Sequence, residues 1–128
     1  AQALMEEIKT KCWDETAVIG ATCGGTVTPS AIANDGDDRT QCTGAFTVTP
    51  YDDVDDYNGY SEVCSWGGPS YTTTVQVCYV QPGDLNNTSP CVTAPPSSPS
   101  SPDYKRIQAT VSNPTLGSVV LVTLVGNY

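Results

Sequence analysis

Apolar residues return every four positions at the start of the chain. Leu4, Ile8 and Cys12 carry the repeat with Met5 alongside, while Glu6, Glu7, Lys9 and Lys11 fall mostly elsewhere. That period predicts a helix over residues 1–15 with one face turned inward. Glu7 and Lys11 stand four apart in the favourable order for an ion pair. Ala1-Gln2-Ala3 offers no capping side chain, so the helix reads as the end of a longer one. Beyond Gly24, Gly25 and Pro29 the period shortens to two. Gly44–Thr49 alternates and stops at Pro50. Tyr71–Val80 is the clearest strand: Tyr71, Thr73, Val75, Val77 and Tyr79 form one face, and Thr72, Thr74 and Gln76 the other. Tyr104–Ser112 alternates again, with Ile107, Ala109 and Val111 inward and Arg106, Gln108 and Thr110 outward. Asn113-Pro114-Thr115-Leu116-Gly117 reads as a hairpin connection. Val119–Val125 is apolar at successive positions, which predicts a strand covered on both sides.

One helix followed by roughly four strands predicts an α+β fold, with a helix stub packed on an antiparallel sheet. Gln81-Pro82-Gly83-Asp84 is a turn. Residues 94–103 form a Pro/Ser-rich loop, too short and too internal to separate domains. The 128 residues therefore read as one domain, 1–128, closed by a β-hairpin over 104–128. No internal repeat is visible. The longest apolar run, Val119–Val125, is far shorter than the ~20 residues of a membrane-spanning helix. The expectation is a soluble chain, or one whose leader has been removed.

Charge narrows the function classes. Fourteen Asp and Glu against five Lys and Arg give a net charge of −9, and there is no histidine. Such a surface repels phosphate, so nucleic acid is excluded as a partner, and anionic lipid is disfavoured. Imidazole chemistry is absent, including Ser-His-Asp triads and His-ligated zinc.

Six cysteines stand at 12, 23, 42, 64, 78 and 91, and none forms a CxxC pair. An even count in a small Thr/Ser-rich chain points to disulfides formed in an oxidising compartment; buried free thiols are the alternative. Each neighbouring pair brackets an irregular segment holding Gly, Pro or Asp. Nearest-neighbour pairing is therefore expected: Cys12–Cys23, Cys42–Cys64 and Cys78–Cys91.

Eight of the fourteen acids lie between Asp35 and Glu62. Asp52, Asp53, Asp55, Asp56 and Asn58, followed by Gly59, make the oxygen-rich loop that a Ca²⁺ ion would use. The EF-hand template fails, because Gly59 at the sixth position puts Val54 at the first. Asn34-Asp35-Gly36-Asp37-Asp38 has the same turn character. The alternative is a solvated acidic loop that keeps the chain soluble. Asp53 with Asp56 could serve as an acid–base pair. Both sit on one loop, however, whereas glycosidase carboxylates flank a cleft, so no enzyme is expected. Trp66, Tyr57 and Tyr60 are candidate rings for stacking a host or surface glycan, or else core rings. Asn86-Asn87-Thr88-Ser89 holds two overlapping sequons in a surface turn.

Three segments together carry a family resemblance. Tyr104–Tyr128 (YKRIQATVSNPTLGSVVLVTLVGNY) resembles the C-terminal hairpin of type IV minor pilins and type II secretion pseudopilins. Asp52–Tyr60 (DDVDDYNGY) resembles the acidic loop of minor pilins of mannose-sensitive haemagglutinin pili. AQALMEEIKTK, at the start, looks like the part of the long pilin helix that follows its membrane segment. The basic leader, the peptidase site and the apolar N-terminal half of that helix have no counterpart here. Six cysteines also exceed the single disulfide common in the group. The resemblance implies the globular part of a filament subunit, with other pilin subunits as partners and no required cofactor. It implies a location in an extracellular filament at the cell surface, reached by way of the periplasm, with anchoring only through a helix outside this chain. Assembly priming or adhesion would be the role. A type II secretion pseudopilin, or a stand-alone secreted disulfide-rich adhesin, is the rival reading.

Overall fold

The computed structural model describes residues 1–13, 18–19, 22–23, 31–33, 51–65, 67–80, 90–94 and 104–127. A short helix, α1 (Gln2–Ile8), is followed by a two-stranded ribbon, β1 (Val18–Ile19) and β2 (Thr22–Cys23). A 3-10 turn at Asp55–Tyr57 leads into β3 (Ser61–Cys64), β4 (Tyr71–Tyr79), β5 (Tyr104–Asn113) and β6 (Gly117–Gly126). The last four strands form one antiparallel sheet in the order β3-β4-β5-β6. The α+β architecture of one helix on a four-stranded sheet is thus present. The alternating strand at Gly44–Thr49, the turns at 34–38, 81–84 and 86–89, the loop from 95 onward, Cys42, Trp66 and Tyr128 lie outside the described residues.

The helix is half as long as its period predicts. Leu4, Met5 and Ile8 are buried, but the helix ends at Ile8. Thr10 N–H and Lys11 N–H donate to Glu7 O and Ile8 O, tightening the last turn, and Thr10 Oγ1 adds a bond to Glu7 O. Cys12 then bridges in parallel to Asp53, and a disulfide ties it to Cys23. The expected Glu7–Lys11 pair is replaced by longer reaches. Lys11 Nζ donates to Tyr51 O at 2.6 Å, and Glu7 accepts from Tyr57 OH at 2.7 Å. Lys9 pairs with Glu6 instead. Contacts to the 51–60 segment outweigh local helical pairs, which are worth only ~0.2–0.5 kcal/mol each.

Alternation places the inner face of the sheet correctly. Val75, Val77, Tyr79, Ile107 and Ala109 are buried on the side that faces α1, with Leu121 and Val125 packed against them. The β5–β6 hairpin closes through a three-residue loop. Gly117 takes φ +88°, the left-handed conformation such loops need. Asn113 Oδ1 accepts the N–H groups of Thr115 and Leu116, and its amide donates to Ser70 O. Arg106 lies on the outer face as expected, yet it is buried there and donates to Cys78 Sγ. One expectation fails: β6 is not covered on both sides, since Val120 and Val122 of its outer face are 49 and 56% exposed. A second disulfide joins Cys78, near the end of β4, to Cys91, where Tyr79 N–H donates to Val92 O.

Candidate functional site: a buried acidic turn and an apolar edge

Five residues of the acidic loop carry candidate ligands, and the fold takes most of that loop inside. Asp53, Asp55 and Asp56 are 2–3% exposed, and Tyr57 is fully buried. A solvated loop is therefore ruled out for these three acids. Cys12 N–H donates to Asp52 O, and Val54 N–H donates to Cys12 O, which seats the loop beside the end of α1. On the other side Gly59 N–H donates to Val75 O, and Val75 N–H donates to Tyr60 O. The turn is clamped between the helix exit and β4.

The carboxylates are turned toward donors. Asp53 Oδ1 accepts from the N–H groups of Asp55 (2.6 Å) and Asp56 (3.1 Å). Asp56 Oδ2 accepts from those of Asp52 (3.1 Å) and Asp53 (3.2 Å). Asn58 Oδ1 accepts Val77 N–H at 3.0 Å. Asp55 Oδ1 meets Lys105 Nζ at 2.6 Å. Asp52 Oδ1 is buried without a hydrogen-bond partner. Among the described residues no group of three acidic or cysteine side chains is gathered to hold a metal ion. Burial raises the Asp53 carboxyl from 3.8 to about 7; the charges of Asp55 and then Asp56 push the same way, and its two backbone donors pull it down.

Lys105 is the residue that pattern reading passed over. It is completely buried. Its Nζ donates to Trp13 O at 2.6 Å and lies 3.9 Å from the Trp13 ring centroid and 5.5 Å from that of Tyr79. A signal existed: Lys105 shares parity with the inward residues Ile107, Ala109 and Val111. A lysine at an inward position needs an acid nearby.

Two of the three aromatic candidates, Tyr57 and Tyr60, are core groups. Tyr51 packs edge-on to Tyr57 and Tyr60, with centroids 4.7 and 6.4 Å apart. Tyr60 is also buried, and its OH donates to Glu62. Neither Tyr57 nor Tyr60 shows an open ring face to solvent. A groove of about 430 Å³ lies between the first turn of α1 and the sheet, lined by Ala1, Leu4, Cys64, Tyr71, Thr73 and Val111 among others.

The outer surface carries the opposite chemistry. Strand β6 is ten residues long and edges the sheet. Val119, Val120 and Val122 are 60, 49 and 56% exposed, and Leu124 and the hairpin residue Leu116 are also exposed. No Asp, Glu, Lys or Arg occurs from Ile107 to Tyr128. A long apolar edge without charge is a template for strand pairing.

The chain matches no family model, no curated protein and no solved structure. Among the described residues no helix is long and apolar enough to cross a membrane.

Proposed function

We propose that the protein is a structural subunit, a minor pilin, of an extracellular type IV pilus-like filament. Its work is assembly priming or adhesion, and it performs no catalysis. The observation that carries this reading is the β6 edge, which offers other subunits a long, uncharged, apolar strand. The three resemblances quoted above supply the family. A buried helix face against an antiparallel sheet is in keeping with it, and so are disulfides, which persist in oxidising compartments. The net charge of −9 speaks against nucleic acid as a partner.

The test is the coding sequence upstream of Ala1, together with the location of the product. A basic leader followed by a long apolar helix, with the protein in filaments sheared from cells, is the expected result. An ordinary signal peptide ending near Ala1, with the protein free in the medium, overturns it. That outcome favours a stand-alone secreted binding module, for which the groove beside α1 is the specific attraction. A type II secretion pseudopilin shares the resemblance and is distinguished by secretion machinery encoded alongside. The reading requires no cofactor. A calorimetric titration with Ca²⁺ that gave binding heat and a raised Tm would add a metal to it.

A further inference from the structure

The Lys105–Asp55 contact joins two reactive groups in a place from which water is excluded. The side chains are 0% and 4% exposed, and nitrogen and carboxylate oxygen stand 2.6 Å apart. Both backbones are held. Lys105 sits in β5, paired with Tyr79 on one side and Val125 on the other. Asp55 begins the 3-10 turn, and its N–H is fixed by Asp53 Oδ1.

We propose that Lys105 and Asp55 condense to an intramolecular amide, so that a covalent cross-link ties the 51–60 loop to the centre of the sheet. An ammonium and a carboxylate together contain an amide plus one water, so the step needs no other reactant. Transfer of one proton from Nζ to the touching carboxylate oxygen gives a neutral amine and a carboxylic acid. The Nζ lone pair attacks Asp55 Cγ and the C–N bond forms. A second proton passes from nitrogen to the hydroxyl oxygen, the C–O bond to that oxygen breaks, and water departs. The remaining N–H keeps the acceptor that Lys105 already uses, Trp13 O. The Trp13 and Tyr79 rings beside Nζ form an apolar wall that keeps hydrolytic water away.

Proximity is the physical driver. Groups held in reacting contact behave as though present at roughly 10⁵–10⁸ M. The product also removes two charges that burial otherwise disfavours.

Intact-mass spectrometry of the purified, reduced and denatured chain tests the proposal. The expected mass is that of the sequence less one water. Chymotrypsin cuts after Tyr51, Tyr57 and Tyr104, placing Asp55 and Lys105 on separate peptides. These peptides should stay joined, with fragmentation locating the bond at Lys105 Nζ. An unshifted mass with the two peptides separate overturns the proposal. Lys105→Met controls for water loss elsewhere, such as at Asp35-Gly36. Persistence of the water loss in that variant also overturns the assignment. Asp55→Asn supplies an independent arm. Its cross-linking releases ammonia in place of water and yields a product with the mass of the cross-linked wild-type chain. The wild-type measurement decides the matter even where a variant does not fold.

Discussion

The 51–60 turn and the β6 edge invert the usual arrangement of a soluble domain. In the turn, three carboxylates and a lysine are buried. At the edge, valines and leucines of a strand that itself carries no charged residue lie in solvent. Burying charge is expensive, so it persists only where each group has a donor or an ion partner. The turn meets that condition through backbone N–H groups and Lys105. Asp53 Oδ1, Asp55 Oδ1 and Asp56 Oδ2 are occupied within the chain and, unlike the partnerless Asp52 Oδ1, present little to an outside partner. Among the described residues the edge strand pairs on one side alone and exposes apolar side chains. On the proposed function, recognition of other subunits belongs to the apolar region, although the acidic region looks more like a site in the sequence.

The largest expected effect falls on the turn. Lys105→Met removes the group that Asp55 meets, as an ion pair or through the amide proposed above, together with the donor to Trp13 O, leaving the buried Asp55 carboxyl without that partner. A loss of about 3–5 kcal/mol in urea unfolding is expected. Pairing it with Asp55→Leu should recover much of that loss. If Lys105→Met alone were neutral, the cluster would be wet in solution and the contrast with the edge would collapse.

Asp53→Asn should act in the opposite direction. Asp53 binds its proton more tightly in the folded chain (about 7) than at its ordinary value of 3.8. Below pH 4 both states are protonated and the residue is neutral to stability. Between pH 4 and 7 the unfolded chain ionises first, so stability falls as pH rises. Above 7 the full penalty applies, on the order of 2–4 kcal/mol. An asparagine oxygen can still accept the N–H groups of Asp55 and Asp56. The variant should therefore be the more stable at pH 8 and converge with the parent toward pH 4. A parallel pair of stability–pH curves would show that the Asp53 charge is solvated.

Next comes the disulfide between Cys78 and Cys91, which closes a loop of sequence separation 13. Its replacement by two alanines should lower stability by about 2–3 kcal/mol. Thermal unfolding under non-reducing conditions measures this.

The sheet was readable because its alternation is nearly strict. Tyr71–Val80 and Tyr104–Ser112 show a period of two, and the hairpin at Asn113–Gly117 is marked by Asn, Pro and Gly. The helix was over-read because Cys12 continues its period; a parallel bridge to Asp53 and a disulfide to Cys23, both non-local, claim that residue instead. The acidic turn was misread for a related reason. Local composition predicts solvation, whereas Lys105, distant in sequence and itself held by Trp13 O, meets Asp55 inside the fold. Strand β6 carries an apolar run that suits a central strand as well as an exposed edge, and its position depends on the whole sheet order.

The smallest effect on stability and the sharpest on association are expected from Val122→Lys. Val122 is 56% exposed on the outer face of β6, so the substitution should change stability by less than about 0.5 kcal/mol. A lysine there places a charge on the long β6 edge and blunts it against strand addition, as natural edge strands are blunted. Thr74→Lys, at an exposed position of β4 inside the sheet, adds the same charge away from the edge. Sedimentation at rising concentration, and recovery of each variant in sheared filaments, should separate the two. Val122→Lys loses association while Thr74→Lys retains it. Equal loss in both would mean that net charge, and not the edge, governs assembly. A stability drop above about 1 kcal/mol in Val122→Lys would mean that the chain itself covers β6 in solution, and the apolar region would then be as inwardly committed as the acidic one.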